Sequence, residues 1–114
     1  MASTPTLTAS GTQTATINTE HSLLSQTTAG TFVLEVDTNA LANGDILELR
    51  IKKIVLVSGT ERVCYIEIYY DAQDTDDLIK TSLPVPVDTG IQTEFTLKQT
   101  AGTGRAFPWK VLAL

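Results

Sequence analysis

The sequence predicts an all-β protein: one antiparallel β-sandwich, jelly-roll-like in its strand spacing, with an extended N-terminal arm. Three observations predict it. Thr, Val and Ile, which suit a pleated surface, are abundant, while strong helix formers are sparse. Short runs of alternating apolar and polar residues recur along the chain. Clusters of Gly, Asn, Asp and Pro separate those runs. The 114 residues amount to one domain, which buries roughly two-thirds of its unfolded surface without needing metals or crosslinks.

Residues 1–29 are rich in Thr, Ser, Ala and Gln and read as the extended arm, with one strand expected over Thr12–Ile17. Polar termini stay disordered unless something holds them. The arm is therefore expected to lie against its own body or a neighbouring subunit. The sandwich is expected over residues 30–114. "TFVLEV" reads as a strand, ended by turn chemistry in "DTNALANGD" with room for one helical turn. "DILELRIKKIVLV" alternates Leu47, Leu49 and Ile51 against Glu48, Arg50 and Lys52, and changes face across Lys52-Lys53, which predicts a bulge or corner there.

"SGT" turns the chain into "ERVCYIEIYY", the second strand of a hairpin, with Cys64, Ile66 and Ile68 expected on its inner face. Cys64 accordingly reads as a small buried hydrophobe. "DAQDTDD" is a polar loop. Pro84 and Pro86 confine the strand "LIKTSLPVPV" to an edge, because each lacks a ladder donor. "IQTEFTLKQT" turns Ile91, Thr93, Phe95 and Leu97 inward and Gln92, Glu94, Thr96 and Lys98 outward. "RAFPWKVLAL" ends in apolar residues, so its strand is expected to be central or capped by a partner.

Charge narrows the function classes. A net charge of −5, with only Lys52-Lys53 near a basic cluster, argues against nucleic acid as a partner. A single cysteine rules out an intrachain disulfide. The N-terminus has neither a basic start nor an apolar run, so no secretory signal is expected, and no run approaches a membrane span.

No catalytic, cofactor or metal residues are expected. Gly102-Thr-Gly-Arg105 looks like a phosphate-cradling loop, but no helix follows and the Gly-Lys-Ser/Thr of a P-loop is missing. It reads as a hairpin turn whose glycines supply positive φ. Asp71, Asp74, Asp76 and Asp77 invite a calcium reading, yet their spacing is not that of an EF-hand; they read as a solvated loop tip. His21 lies between Glu20 and Ser22, and sequence neighbours cannot form a hydrolytic triad. Arg105, Phe107, Trp109, Tyr69 and Tyr70 make a candidate aromatic-basic patch for sugars. Trp109 alternates in register with Phe107 and Val111, which favours a core or interface role.

"VDTNALANGDILELRIK" and "TLKQTAGTGRAFPWKVLAL" resemble a group of small tailed-bacteriophage structural proteins, most closely the head decoration (cement) proteins. The similarity spans roughly residues 30–114 and lies in strand-and-turn phrasing, not in a functional signature. It implies a homotrimeric β-sandwich on the outer capsid surface of the virion, clamping the major capsid protein without chemistry. It carries over no catalytic residues and no cofactor. With the arm and edges as the expected contacts, the candidate interface residues are Thr4, Thr6, Leu7, Thr14, Ile17, His21, Pro84, Pro86 and Trp109. Two rival expectations are a neck or tail structural protein, and a carbohydrate-binding module using Trp109 and the tyrosines.

Overall fold

The computed structural model describes residues 4–114; the first three residues of the arm lie outside the described residues. Among the described residues nine strands form: β1 (Thr6–Thr14), β2 (Glu20–Gln26), β3 (Gly30–Asp37), β4 (Ile46–Lys53), β5 (Arg62–Tyr70), β6 (Ile79–Thr81), β7 (Val85–Val87), β8 (Thr93–Ala101) and β9 (Ala106–Ala113). One sheet runs β1-β9-β3-β6, with β7 also paired to β3; the other runs β2-β8-β4-β5. Every pair is antiparallel. The sheets face each other in a body of 40 × 35 × 19 Å, a β-sandwich two layers thick.

The core lies between the sheets. Phe32, Leu34, Val36, Val85, Val87, Phe107 and Val111 meet Leu47, Leu49, Ile51, Phe95 and Leu97, with Ala15 and Leu41 closing the ends. The inward sets on β4 and β8 are those the alternation predicts. Burial of each such side chain stabilises the fold by roughly 1.5–3 kcal/mol. The apolar C-terminal strand is central, as expected, between β1 and β3.

Several elements differ from the expectation. The strand expected at Thr12–Ile17 is β1, at Thr6–Thr14, paired along its length with β9. β2 follows it and pairs with β8. The segment read as an arm lies against its own body, one of the two placements expected for it, and supplies an edge strand to each sheet. Its Thr-rich sequence reflects exposure on an edge. "DTNALANGD" forms turns with no helix. β4 stops at Lys53, and Ile54–Val57 is not a strand. "LIKTSLPVPV" divides into β6 and β7, both short and both on β3, because Ser82 turns inward: its Oγ accepts from the Leu34 amide at 2.9 Å.

Candidate functional site

Most side chains capable of chemistry are consumed by internal links. At one end of the sandwich the loop Gly102–Arg105 carries the chain from β8 in one sheet to β9 in the other. It is an arch between sheets and not the expected hairpin. Asp45, 1% exposed, fills its mouth. Asp45 Oδ2 accepts from the Ala42 amide and from Arg105 Nε, both at 2.9 Å, and Oδ1 accepts from the Thr103 amide at 3.2 Å. Gln99, fully buried, donates to the carbonyls of Ala101 (3.0 Å) and Thr103 (2.7 Å) and accepts from the Arg105 amide (3.0 Å).

A carboxylate of the protein thus sits where a phosphate loop would hold its anion. The glycines serve this knot in two ways. Gly102 has φ +88°, and a Cβ there would lie 1.9 Å from Asp45 Oδ1. Gly104 lacks positive φ; its missing Cβ makes room for the Ala15 carbonyl, 2.3 Å from where that atom would stand. Burial of Asp45 opposes its charge, but the Arg105 hydrogen bond and the two amides outweigh that and hold the carboxyl below the usual range.

A second network covers the outer face of the β2-β8-β4-β5 sheet. Lys52 Nζ lies 3.1 Å from Glu20, 3.0 Å from Glu94 and 3.8 Å from Glu61. Thr96 Oγ1 donates to Glu20 at 2.6 Å, and Arg50 pairs with Glu48 at 3.0 Å. These long side chains bury Thr96 although it points away from the core. Partial burial disfavours the Lys52 ammonium, yet Glu94 and Glu20 more than compensate and raise its pKa. Glu20 is lowered: its burial is offset by the Thr96 hydroxyl and then by Lys52.

Beside this network lies an apolar surface that overturns one expectation. Leu47 pairs with Tyr69, Leu49 with Glu67 and Ile51 with Tyr65, so those three β5 residues share the inner side. Ile66 and Ile68 pair with Arg50 and Glu48 and point outward. Cys64, Ile66 and Ile68 are therefore exposed, not buried. The larger tyrosine rings cover the core instead, and burial pushes both phenols up. Lys80 Nζ stands 5.0 Å from the centre of the Tyr69 ring. Lys52 pairs with Val63, which makes Cys64 the extra residue of a bulge one step from the predicted corner.

Before β5, the turn at Val55 (80% exposed), Leu56 (73%) and Val57 (79%) stands in solvent. It is closed by the Gly59 amide donating to the Leu56 carbonyl at 2.8 Å and by Ser58 at φ 67°. Val63, Ile66, Ile68 and Tyr70 are exposed along the strand that follows. No catalytic geometry enters here; the surface offers apolar area and an unpaired strand edge.

The residues singled out in the sequence scatter. Thr4, Thr6, Leu7 and Thr14 lie exposed along and just before the β1 edge; Ile17 is half-buried in the β1–β2 turn. His21 Nε2 accepts from the Thr16 amide at 3.1 Å and so braces that turn. Pro84 is exposed before β7, and Pro86 is exposed at its centre opposite Thr31. Trp109 is half-buried in β9, its indole packed against Gly11, beside an open cleft of about 290 Å³ that Pro108, Lys110, Glu35 and Ile79 help to line. The tyrosines belong to the other sheet, so no joint aromatic patch forms.

Asp71 accepts from the Gly44 amide, Asp74 from the Asp76 amide, and Asp77 pairs with Lys80. Among the described residues no three His, Cys, Asp or Glu side chains converge as metal ligands, and no helix is long and apolar enough to cross a membrane. Comparison with known protein families, with curated proteins and with solved structures finds no match.

Proposed function

We infer that this protein is a non-enzymatic capsid decoration (cement) protein of a tailed bacteriophage, docking on the outer shell and bridging subunits of the major capsid protein. The observation that carries this reading is the Val55-Leu56-Val57 tip. Three consecutive apolar side chains held out in water are costly unless a partner covers them. Two further features support it. The resemblance of residues 30–114 points to the same class. The β-sandwich, with β1 beside β9 and the chain crossing between sheets, is compatible with a jelly roll, an architecture recurrent in viral shells.

The test is the triple variant V55S/L56S/V57S, whose altered side chains lie outside the core. It keeps its melting temperature and loses at least about tenfold in affinity for the shell. Unchanged capsid occupancy refutes the reading. Copy number in purified particles comparable to the major capsid protein supports decoration; a single ring of copies would mean neck or tail. The cleft beside Trp109 favours one rival, a carbohydrate-binding module. Glycan binding that is lost in Trp109→Ala, with the fold retained, would replace the capsid reading.

A further inference from the structure

The four sheet edges are unequal. β1 presents Thr, Ser and Gly to solvent, with Leu7 its one exposed large apolar side chain, and is broken by an irregularity between Leu7 and Ala9. β2 presents Glu20, His21 and Ser22 and is broken by an irregularity between Ser22 and Leu24. β6 and β7 are three residues each, and Pro84 and Pro86 guard them. Those are the devices by which sheet edges avoid pairing with other chains.

β5 has almost none of them. It is nine residues long, without Pro or Gly, and only one of its sides is paired, to β4. Val63, Ile66, Ile68 and Tyr70 are exposed on it, Ile66 by 46%. Its one bulge faces β4 at Cys64.

We propose that β5 is a homodimer interface, in which two copies pair β5 with β5 antiparallel about a two-fold axis and join their four-stranded sheets into one of eight strands. The occupant is a second copy because the strand complements itself. An axis perpendicular to the sheet keeps the outer faces of both copies on one side, as an isologous contact requires. Ile66 is the midpoint of β5, so an axis there pairs all nine residues. It sets Ile66 on its own copy, Cys64 opposite Ile68, and Glu67 opposite Tyr65.

An axis one residue along would set Glu67 on Glu67, which like charge disfavours. Edge-to-edge pairing covers the rim of β5 and the flanks of its exposed apolar side chains, so the contact belongs with the small interfaces below about 1,200 Å² in total, which dissociate readily. Antiparallel pairing puts the two Val55–Val57 tips at opposite ends of the joined strands, free for bivalent docking. The contact is two-fold, and replaces the threefold assembly that the family resemblance implies.

The test needs no capsid, so it stands or falls apart from the decoration reading. Sedimentation and light scattering of the full chain are expected to give about twice 12.3 kDa, dissociating on dilution. Ile66→Lys sets two ammonium groups on the axis and weakens association at least about tenfold, with the circular dichroism spectrum unchanged. Ile79→Lys, at a somewhat more exposed site on β6, leaves the dimer intact. In case Ile66→Lys misfolds, the double variant C64S/I66C reads the register directly: it forms an intermolecular disulfide under mild oxidation, whereas C64S/I79C does not. A wild-type monomer or trimer, a dimer indifferent to Ile66→Lys in its folded form, or equal crosslinking at both sites overturns the proposal.

Discussion

Replacing Asp45 tests whether the glycine arch is held from within. Asp45→Asn keeps the volume but removes the charge and puts an amide donor either where Oδ2 meets two donors or where Oδ1 meets one. The amides of Ala42 and Thr103 lose a charged acceptor in a site 1% exposed. Each costs about 1–2 kcal/mol. The Arg105 guanidinium, a third exposed, can turn to water, so its loss is discounted to about 0.5–1 kcal/mol. The sum is about 2.5–5 kcal/mol, which in a chain of this size lowers Tm by roughly 10–20 °C.

Urea unfolding at pH 7 reads this destabilisation directly. Its pH dependence has a fixed sign. The folded pKa of Asp45 is below its unfolded value near 3.8, so the wild-type advantage is complete above that value and disappears as pH falls through the folded pKa. The gap between wild type and Asp45→Asn should therefore be constant from pH 7 to about 5 and narrow towards pH 2. A gap under about 1 kcal/mol at pH 7, or one that ignores pH, refutes the account of the arch.

Three further outcomes are expected. Gly102→Ala combines positive φ with a clash on Asp45, and Gly104→Ala meets the Ala15 carbonyl; both should cost more than Gly44→Ala, which has positive φ but open space and loses about 1 kcal/mol by thermal unfolding. Lys52→Met leaves Glu20 and Glu94 facing each other, and should destabilise by about 2–3 kcal/mol at pH 7 but little at pH 3, where carboxylates are protonated. Deleting residues 1–26 removes an edge strand from each sheet, so denaturation of the truncated chain should lack a cooperative transition; a folded truncation would restore the arm as a separate element.

The alternation rule read β4 and β8 correctly because one face of each is apolar and the other charged: Leu47, Leu49 and Ile51 against Glu48, Arg50 and Lys52. The two prolines likewise marked an edge. Contacts distant in sequence were not legible. Nothing near Gly102 signals that Asp45, nearly sixty positions earlier, occupies its amides, and nothing near Gln99 signals that it bonds within the arch. A buried Gln in an inward register was the one available clue. β2 and the first half of β1 escaped because edge strands need few large apolar residues, and Thr-rich composition fits an arm equally well.

β5 was misread for a reason that bears on its use. Both of its parities hold apolar residues: Cys64, Ile66, Ile68 and Tyr70 on one, Val63, Tyr65 and Tyr69 on the other. Glu67 on the second set argues for burying the first. The register with β4 does the opposite, because a shift of one residue would turn out the whole strand. Glu67 stays solvated at the open edge, while Ile66 and Ile68 remain uncovered. A chain selected only for a stable monomer gains nothing from those two isoleucines. Their replacement by Thr should leave the unfolding free energy within about 0.5 kcal/mol of wild type at the lowest concentrations. Wild-type Tm should rise with protein concentration, because association favours the native state, and that slope should vanish in I66T/I68T. If the wild-type curve is already flat, the isoleucines cover nothing and the edge is open.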